Sequence, residues 1–311
     1  IAISKSPAVH ESQDPDMLQS IDLETSGLPV EECNKTKITE LSLIAVKRPH
    51  ILETRPGESP RVQHKLTLCF NPRRFVNPTS TKITGLCNDL LEHETSFNTK
   101  VFDTINNFLG LLTKPVCLIA QNGLNYDYPI LKKHLVDIGV SFPDDLLCAD
   151  SLHAFYEILN EKEKVSPNES LSEKTSQEEM GVDEVDLMWQ PNTLDMQKIN
   201  ETTPKKSHTS TDVMKTPRKR LGKSCDRVSK VCSRKLYWVA GPKPKESYKL
   251  KNIYRKLLKR PAICAHRAEY DCLMTLECAV AISTEFVEWV DENHFRFSDV
   301  KPMTVGVKLG Q

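Results

Sequence analysis

No pair of cysteines in this chain stands in Cys-x-x-Cys spacing, although it carries ten. No Cys/His array has zinc-ligand spacing either. That sets aside the common zinc modules and the dithiol redox motifs, and the thiols scattered from Cys33 to Cys278 read as reduced side chains of an intracellular protein. Net charge is also missing: 42 Lys and Arg balance 42 Asp and Glu. A polyanion partner is therefore neither favoured nor excluded by total charge, and only the distribution of charge can speak. No apolar stretch approaches the roughly 20 residues of a membrane-spanning helix, and the first residues show no signal peptide. Hydrophobic residues make up 39% of the 311, low for a wholly compact chain, so part of it is expected to be unfolded. The chain opens on Ile1 rather than Met, which reads as a fragment or an incomplete gene model.

What is present starts with Ser20–Pro29, Ser-Ile-Asp-Leu-Glu-Thr-Ser-Gly-Leu-Pro. On a strand, Asp22 and Glu24 leave the same face and Leu23 the other. Two carboxylates that close do not both ionise without cost. Either one holds a proton or a cation lies between them, and oxygen ligands suit Mg²⁺ or Mn²⁺. Taken alone, the triplet also describes a solvated pair on an exposed strand.

Along the chain, residues 1–16 read as a loose tail and Met17–Glu24 as a first strand. That strand is poor, because Gln19 and Ser20 interrupt what should be an apolar run. Ile38–Val46 is a better second strand. Leu66, Leu68 and Phe70 mark a third, joined by a polar hairpin-length connection over Pro49–Pro60 and antiparallel to the second. Ile83-Thr84-Gly85-Leu86 opens a helical stretch, and Phe102, Ile105, Leu109 and Leu112 recur at helical spacing. Val116–Ala120 and Leu146–Ala149 are short buried strands, each followed by a helix, with Pro129 in the first turn of one and Asp150 closing the second strand. Strand, helix, strand, helix implies parallel crossovers. Residues 160–245 shift from acidic to basic without apolar periodicity and read as a flexible insertion. Pro217-Arg218-Lys219-Arg220 within it suits nuclear import or a polyanion contact, or is simply a solvated linker. Leu250, Ile253, Tyr254, Leu257 and Leu258 give a packed helix with Ser247 as a possible cap. A long helix then runs through Ala268 towards Trp289, and 291–311 read as a tail.

His266 and Asp271 lie five residues apart, roughly 140° apart if both sit in one helix. They share a site only if His266 lies in the preceding loop. The plain alternative is a surface Asp and a loop His. Asp127 follows Asn122-Gly123-Leu124-Asn125-Tyr126 at a strand-to-helix switch, where ligands of open α/β sheets gather. It could equally cap the helix that starts near Pro129.

Taken together, Asp22-Leu-Glu-Thr-Ser-Gly-Leu-Pro29, Ile83-Thr-Gly-Leu86, Asn122-Gly-x-x-Tyr-Asp127, Tyr248-x-Leu-x-x-Ile-Tyr254 and His266-x-Ala-Glu-x-Asp271 resemble the three-prime repair (TREX-type) exonucleases of the DEDDh group. The resemblance covers about 17–159 and 246–290. It implies a ribonuclease H-like α/β fold, a mixed central sheet flanked by helices and interrupted by the insertion. It implies a 3′→5′ exonuclease acting on single-stranded DNA or DNA 3′ ends, with two Mg²⁺ ions for which Mn²⁺ could substitute. Asp22, Glu24, Asp127 and Asp271 would be the metal ligands and His266 the general base. Glu24, Thr25, Leu28, Ile83, Tyr126 and Asp271 would contact the terminal nucleotides. A homodimer built through sheet edges follows from the same likeness, and the reduced thiols imply an intracellular site of action, nuclear or cytoplasmic. The sequence departs from the family at Asn125, where a basic residue is usual before the Tyr-Asp pair. It also lacks the Pro-rich loop of the mammalian enzymes. An RNA-directed enzyme of the same group, or a docking protein without catalysis, are the alternatives.

Overall fold

The computed structural model describes residues 14–165, 247–262 and 266–307. Within them six strands form one sheet in the order β3-β2-β1-β4-β5-β6. The strands are β1 (Met17–Thr25), β2 (Ile38–Lys47), β3 (Val62–Cys69), β4 (Val116–Ala120), β5 (Leu147–Asp150) and β6 (Phe295–Arg296). β1 pairs antiparallel with β2 and parallel with β4, and β4 pairs parallel with β5. The sheet is thus mixed, with β1 at its centre.

The strand that reads worst in sequence is the one held on both sides. Gln19 and Ser20 are fully buried there, because pairing with β2 and β4 overrides their weak strand preference. The β4 ladder stops at Ser20 opposite Ile119. Asp22 and Glu24 lie beyond that point, paired only with β2, opposite Ser42 and Glu40.

Each face of the sheet carries its own apolar layer. On one, Met17, Ile21, Leu23, Leu41 and Leu43 pack with α4 (Thr99–Gly110) and α5 (Asp127–Asp137). On the other, Leu18, Ile44 and Ile119 pack with α6 (Ser151–Val165), α7 (Leu250–Leu258), α8 (Ala268–Ala281) and α9 (Ser283–Asn293). Helix α8 lies directly on β1 and β2, and most of its side chains are buried.

Several sequence expectations are corrected. The Pro49–Pro60 connection contains a helix, α1 (Arg48–Glu53), with Pro at its start, where the missing N–H costs nothing. Ile83–Gly85 end a helix, α2 (Pro78–Thr84), rather than begin one; Gly85 closes it at φ 78°. A four-residue helix, α3 (Asn88–Leu91), follows. Lys249, not Ser247, occupies the cap position of α7, with no side-chain cap bond. The long helix towards Trp289 breaks at Ile282, φ −135°, giving α8 and α9. The expected tail is structural: β6 pairs with β5, and Phe295, Phe297, Val300 and Met303 are buried in the first layer. Helix α6 continues to Val165; the rest of the expected insertion, with its Pro217–Arg220 run, lies outside the described residues.

Candidate active site

The strand ends and helix starts converge where β1 outruns β4. Asp22 and Glu24 project from β1 on the α8 side, and both are half-buried. His266 sits just before α8 and Asp271 in its first turn, the loop-then-helix placement a shared site requires. Ligand atoms of Glu24, His266 and Asp271 lie within 4.8 Å of one another. Asp127, at the start of α5, is 2% exposed, and its Oδ1 accepts from Leu23 N at 3.1 Å. That bond caps the β1 backbone beyond the β4 ladder, so Asp127 is fixed to the strand that carries Asp22 and Glu24.

The electrostatics report one cluster. The Asp22 carboxyl is pushed well above its ordinary value, chiefly by burial, then by the charges of Asp271, Asp127, Glu24 and Glu40. Glu24 is raised well above its own by burial, then by Asp271, Glu40 and Asp127. Burial raises Asp127 to about 8 against the bond from Leu23, and Asp271 to about 7 against the bond from His266 N. Carboxyls raised together in this way need either protons or a cation. Oxygen donors of this kind suit a hard divalent ion, and the residues present therefore fit one. His266 moves the other way: burial, then Lys251 and Lys249, lower its imidazole and hold it neutral.

One further carboxylate holds the loop behind the cluster. Asp150, buried at the end of β5, accepts from Asn122 N, Leu124 N and Leu152 N, each at 3.0 Å. It clamps the loop that delivers Asp127. Within that loop a Cβ on Gly123 would stand 2.6 Å from both Ala120 Cβ and Tyr128 Cε2. Tyr128 cannot move aside, because its hydroxyl shares its one proton between Leu118 O at 3.0 Å and Ala149 O at 2.6 Å. Gly123→Ala is expected to lose about 1–3 kcal/mol of stability, the usual cost of overpacking, read as a lower urea midpoint with an unchanged slope.

The expected substrate contacts line the exit of β1. Thr25 is buried; its Oγ1 lies 3.0 Å from Gly27 O and 2.6 Å from the Tyr126 hydroxyl. Leu28 is half-buried in the next turn and Ile83 half-buried at the end of α2. Helix α2 lies between Ser26 and Arg267. Asn77 N, before its start, donates to Ser26 O at 2.7 Å. Past its end, a Cβ on Gly85 would stand 3.4 Å from the Arg267 guanidinium. Asn125 donates to Asn122 Oδ1 at 3.0 Å. Glu32 secures the turn: it accepts from Ser26 Oγ at 2.9 Å and Thr36 Oγ1 at 2.7 Å and pairs with Arg74 at 3.0 Å.

Two residues near the acids were missed from sequence. Asp150 looked only like a strand terminus. Glu40 lies within the expected second strand with nothing local to mark it; the cross-strand register that sets it opposite Glu24 is not written in local sequence.

The mixed six-stranded sheet with helices on both faces has the ribonuclease H-like fold. Exonuclease I shares it at a TM-score of 0.50 and 12% identity, over 89% of this chain and 43% of that one. In sequence the chain is similar to the three-prime repair exonucleases. It is 38% identical to three prime repair exonuclease 2 of Mus musculus over 141 residues, 43% of this chain and 58% of the relative. It is 27% identical to three-prime repair exonuclease 1 of Bos taurus over 296 residues, 92% of this chain and 69% of the relative. The chain thus spans 58% of the length of the mouse relative it matches. No family model matches it.

Proposed function

We propose that this chain is a divalent-metal-dependent 3′→5′ exonuclease that releases nucleoside 5′-monophosphates from single-stranded or frayed DNA 3′ ends. The observation that carries this reading is the convergence of Asp22, Glu24, Asp127 and Asp271 with His266 at the end of the central strand. The three-prime repair exonucleases it resembles support it.

The four carboxylates would hold two Mg²⁺ ions, or Mn²⁺ in their place. Such ions supply charge for the attacking and departing oxygens of the phosphodiester. Hard Mg²⁺ prefers oxygen donors, which leaves the neutral imidazole of His266 to take the proton of the attacking water. The main chain near Glu24 and Thr25, with Tyr126 joined to Thr25 through their hydroxyls, would contact the terminal nucleotide together with Asp271. Leu28 and Ile83 would pack on terminal bases without reading them, since every base offers an apolar face. Strand β3, at one edge of the sheet and half-exposed through most of its length, is the edge through which two copies would pair. No helix among the described residues is long and apolar enough to cross a membrane. The described cysteines are free thiols, which accords with a nuclear or cytoplasmic site of action.

The test uses the purified full chain, Mg²⁺ and an oligodeoxynucleotide. The expected result is stepwise shortening of a 5′-labelled strand, immediate mononucleotide release from a 3′-labelled one, and arrest by EDTA. A shift in mobility without shortening would identify a docking protein instead. Faster cleavage of an RNA of the same sequence would reassign the substrate.

A further inference from the structure

Helix α8 carries Asp271 and follows His266, yet its own sequence gives it no N-terminal cap. Arg267 occupies the cap position and makes no side-chain cap bond; a guanidinium has no acceptor to offer. His266 adds strain, standing at φ 68°, a left-handed conformation that non-glycine residues keep only where neighbours hold it. Two carboxylates do the holding. Asp271 Oδ2 accepts from His266 N at 3.0 Å, and Glu40 Oε2 accepts from Ala268 N at 3.1 Å. Ala268 opens the helix, so its N–H is one of the donors a helix start leaves without an intrahelical partner.

Glu40 reaches that N–H from β2, where it is the cross-strand partner of Glu24. One side chain therefore joins the strand pair bearing Glu24 to the helix start bearing His266 and Asp271. Its charge also suits the positive end of the helix and is felt at Asp22, Glu24 and Asp271.

We propose that Glu40 is a positioning residue of the candidate active site, acting as an N-cap supplied from another strand that holds His266 and Asp271 in register with Glu24. It touches neither substrate nor reacting atoms in this role. The kinetic part of the inference rests on the exonuclease reading; the structural part does not.

The experiment compares the unmodified chain with Glu40→Gln and Glu40→Ala. Glutamine keeps an acceptor for Ala268 N–H and loses the charge; alanine loses both. Amide hydrogen exchange of residues 266–272 reads the helix start, calorimetric titration with Mn²⁺ reads the donor set, and 3′-end release reads turnover. For Glu40→Ala, about tenfold faster exchange in the first turn of α8 is expected, with about tenfold weaker Mn²⁺ binding, the usual scale for a group that orients a ligand. Turnover should fall about tenfold or more on the same grounds, with KM for the oligonucleotide within about twofold. Glu40→Gln should remain within about threefold of native in all three, because the bond survives. Native-like exchange and Mn²⁺ affinity in Glu40→Ala would overturn the proposal. So would Glu40→Gln as impaired as Glu40→Ala, since charge and not the bond would then be the operative property. Glu40→Leu replaces the alanine variant if that one does not fold. A native protein that binds Mn²⁺ but cleaves nothing would defeat the exonuclease reading, while exchange and calorimetry would still decide the role of Glu40.

Discussion

Asp22→Asn is expected to lower 3′-end release by about three orders of magnitude, because it removes a charge from the centre of the donor set. A bound divalent ion supplies several kcal/mol of transition-state stabilisation, and each 1.36 kcal/mol is about tenfold in rate. Asparagine fills the same space and keeps one acceptor, so the strand and its pairing with Ser42 should persist. Binding of a single strand, measured by mobility shift with Ca²⁺ in place of Mg²⁺, should change little. The same substitution should make the metal-free protein more stable. Asp22 is held among Asp271, Asp127, Glu24 and Glu40, all of which raise its carboxyl. Removing one negative charge relieves that repulsion, the trade of stability for activity common at functional sites. Turnover within tenfold of native, together with an unchanged unfolding temperature, would remove Asp22 from the site.

Asp22, Glu24, Asp127 and Asp271 are legible in the sequence because each stands where a strand or helix boundary can be read, whereas Glu40 and Asp150 are not. Pro129 and the Asn122–Gly123 turn fix the switch before Asp127, and Pro261 forces the break before His266. Val116–Ala120 was legible as a strand because all five residues are apolar and all are buried. What the sequence hid has a common cause: its meaning lies in a distant partner. Gln19 and Ser20 look wrong for a central strand until β2 and β4 flank them. Phe295, Phe297 and Met303 show no periodicity, since only two of the nearby residues form a strand. They are core residues because Phe297 meets the edges of Tyr128 and Phe142, and Met303 N donates to Pro129 O at 2.8 Å. The segment that reads as a tail therefore buttresses the helix that begins with Asp127. The break at Ile282 is hidden because the apolar pattern runs on through it into α9, where Phe286, Val287 and Val290 are buried.

Acidification should stabilise the metal-free protein between about pH 8.5 and pH 7, and Mg²⁺ should remove that dependence. Unfolded Asp and Glu titrate near 4, whereas in the folded chain Asp127 is raised to about 8, Asp271 to about 7, and Asp22 and Glu24 well above their ordinary values. Between those limits the folded state binds more protons than the unfolded one, so stability falls as pH rises through the folded values. His266 works in the opposite sense. Its lowered imidazole costs stability once the unfolded ring protonates, near pH 6.5, so the gain per pH unit is smaller below that, while the carboxyl contribution persists until the unfolded acids protonate near pH 4. A divalent ion replaces the protons and binds only the folded cluster. At about a hundred times its dissociation constant it would add about 2.7 kcal/mol. At about 2–4 °C per kcal/mol for a chain of this order of size, that amounts to an unfolding temperature several degrees higher at pH 8.5, and less at pH 7, where protons compete. Scanning fluorimetry in EDTA and in Mg²⁺ across this range measures both effects. A flat pH profile in EDTA, or an equal Mg²⁺ shift in Asp22→Asn, would mean that these carboxylates do not act as one cation-binding cluster.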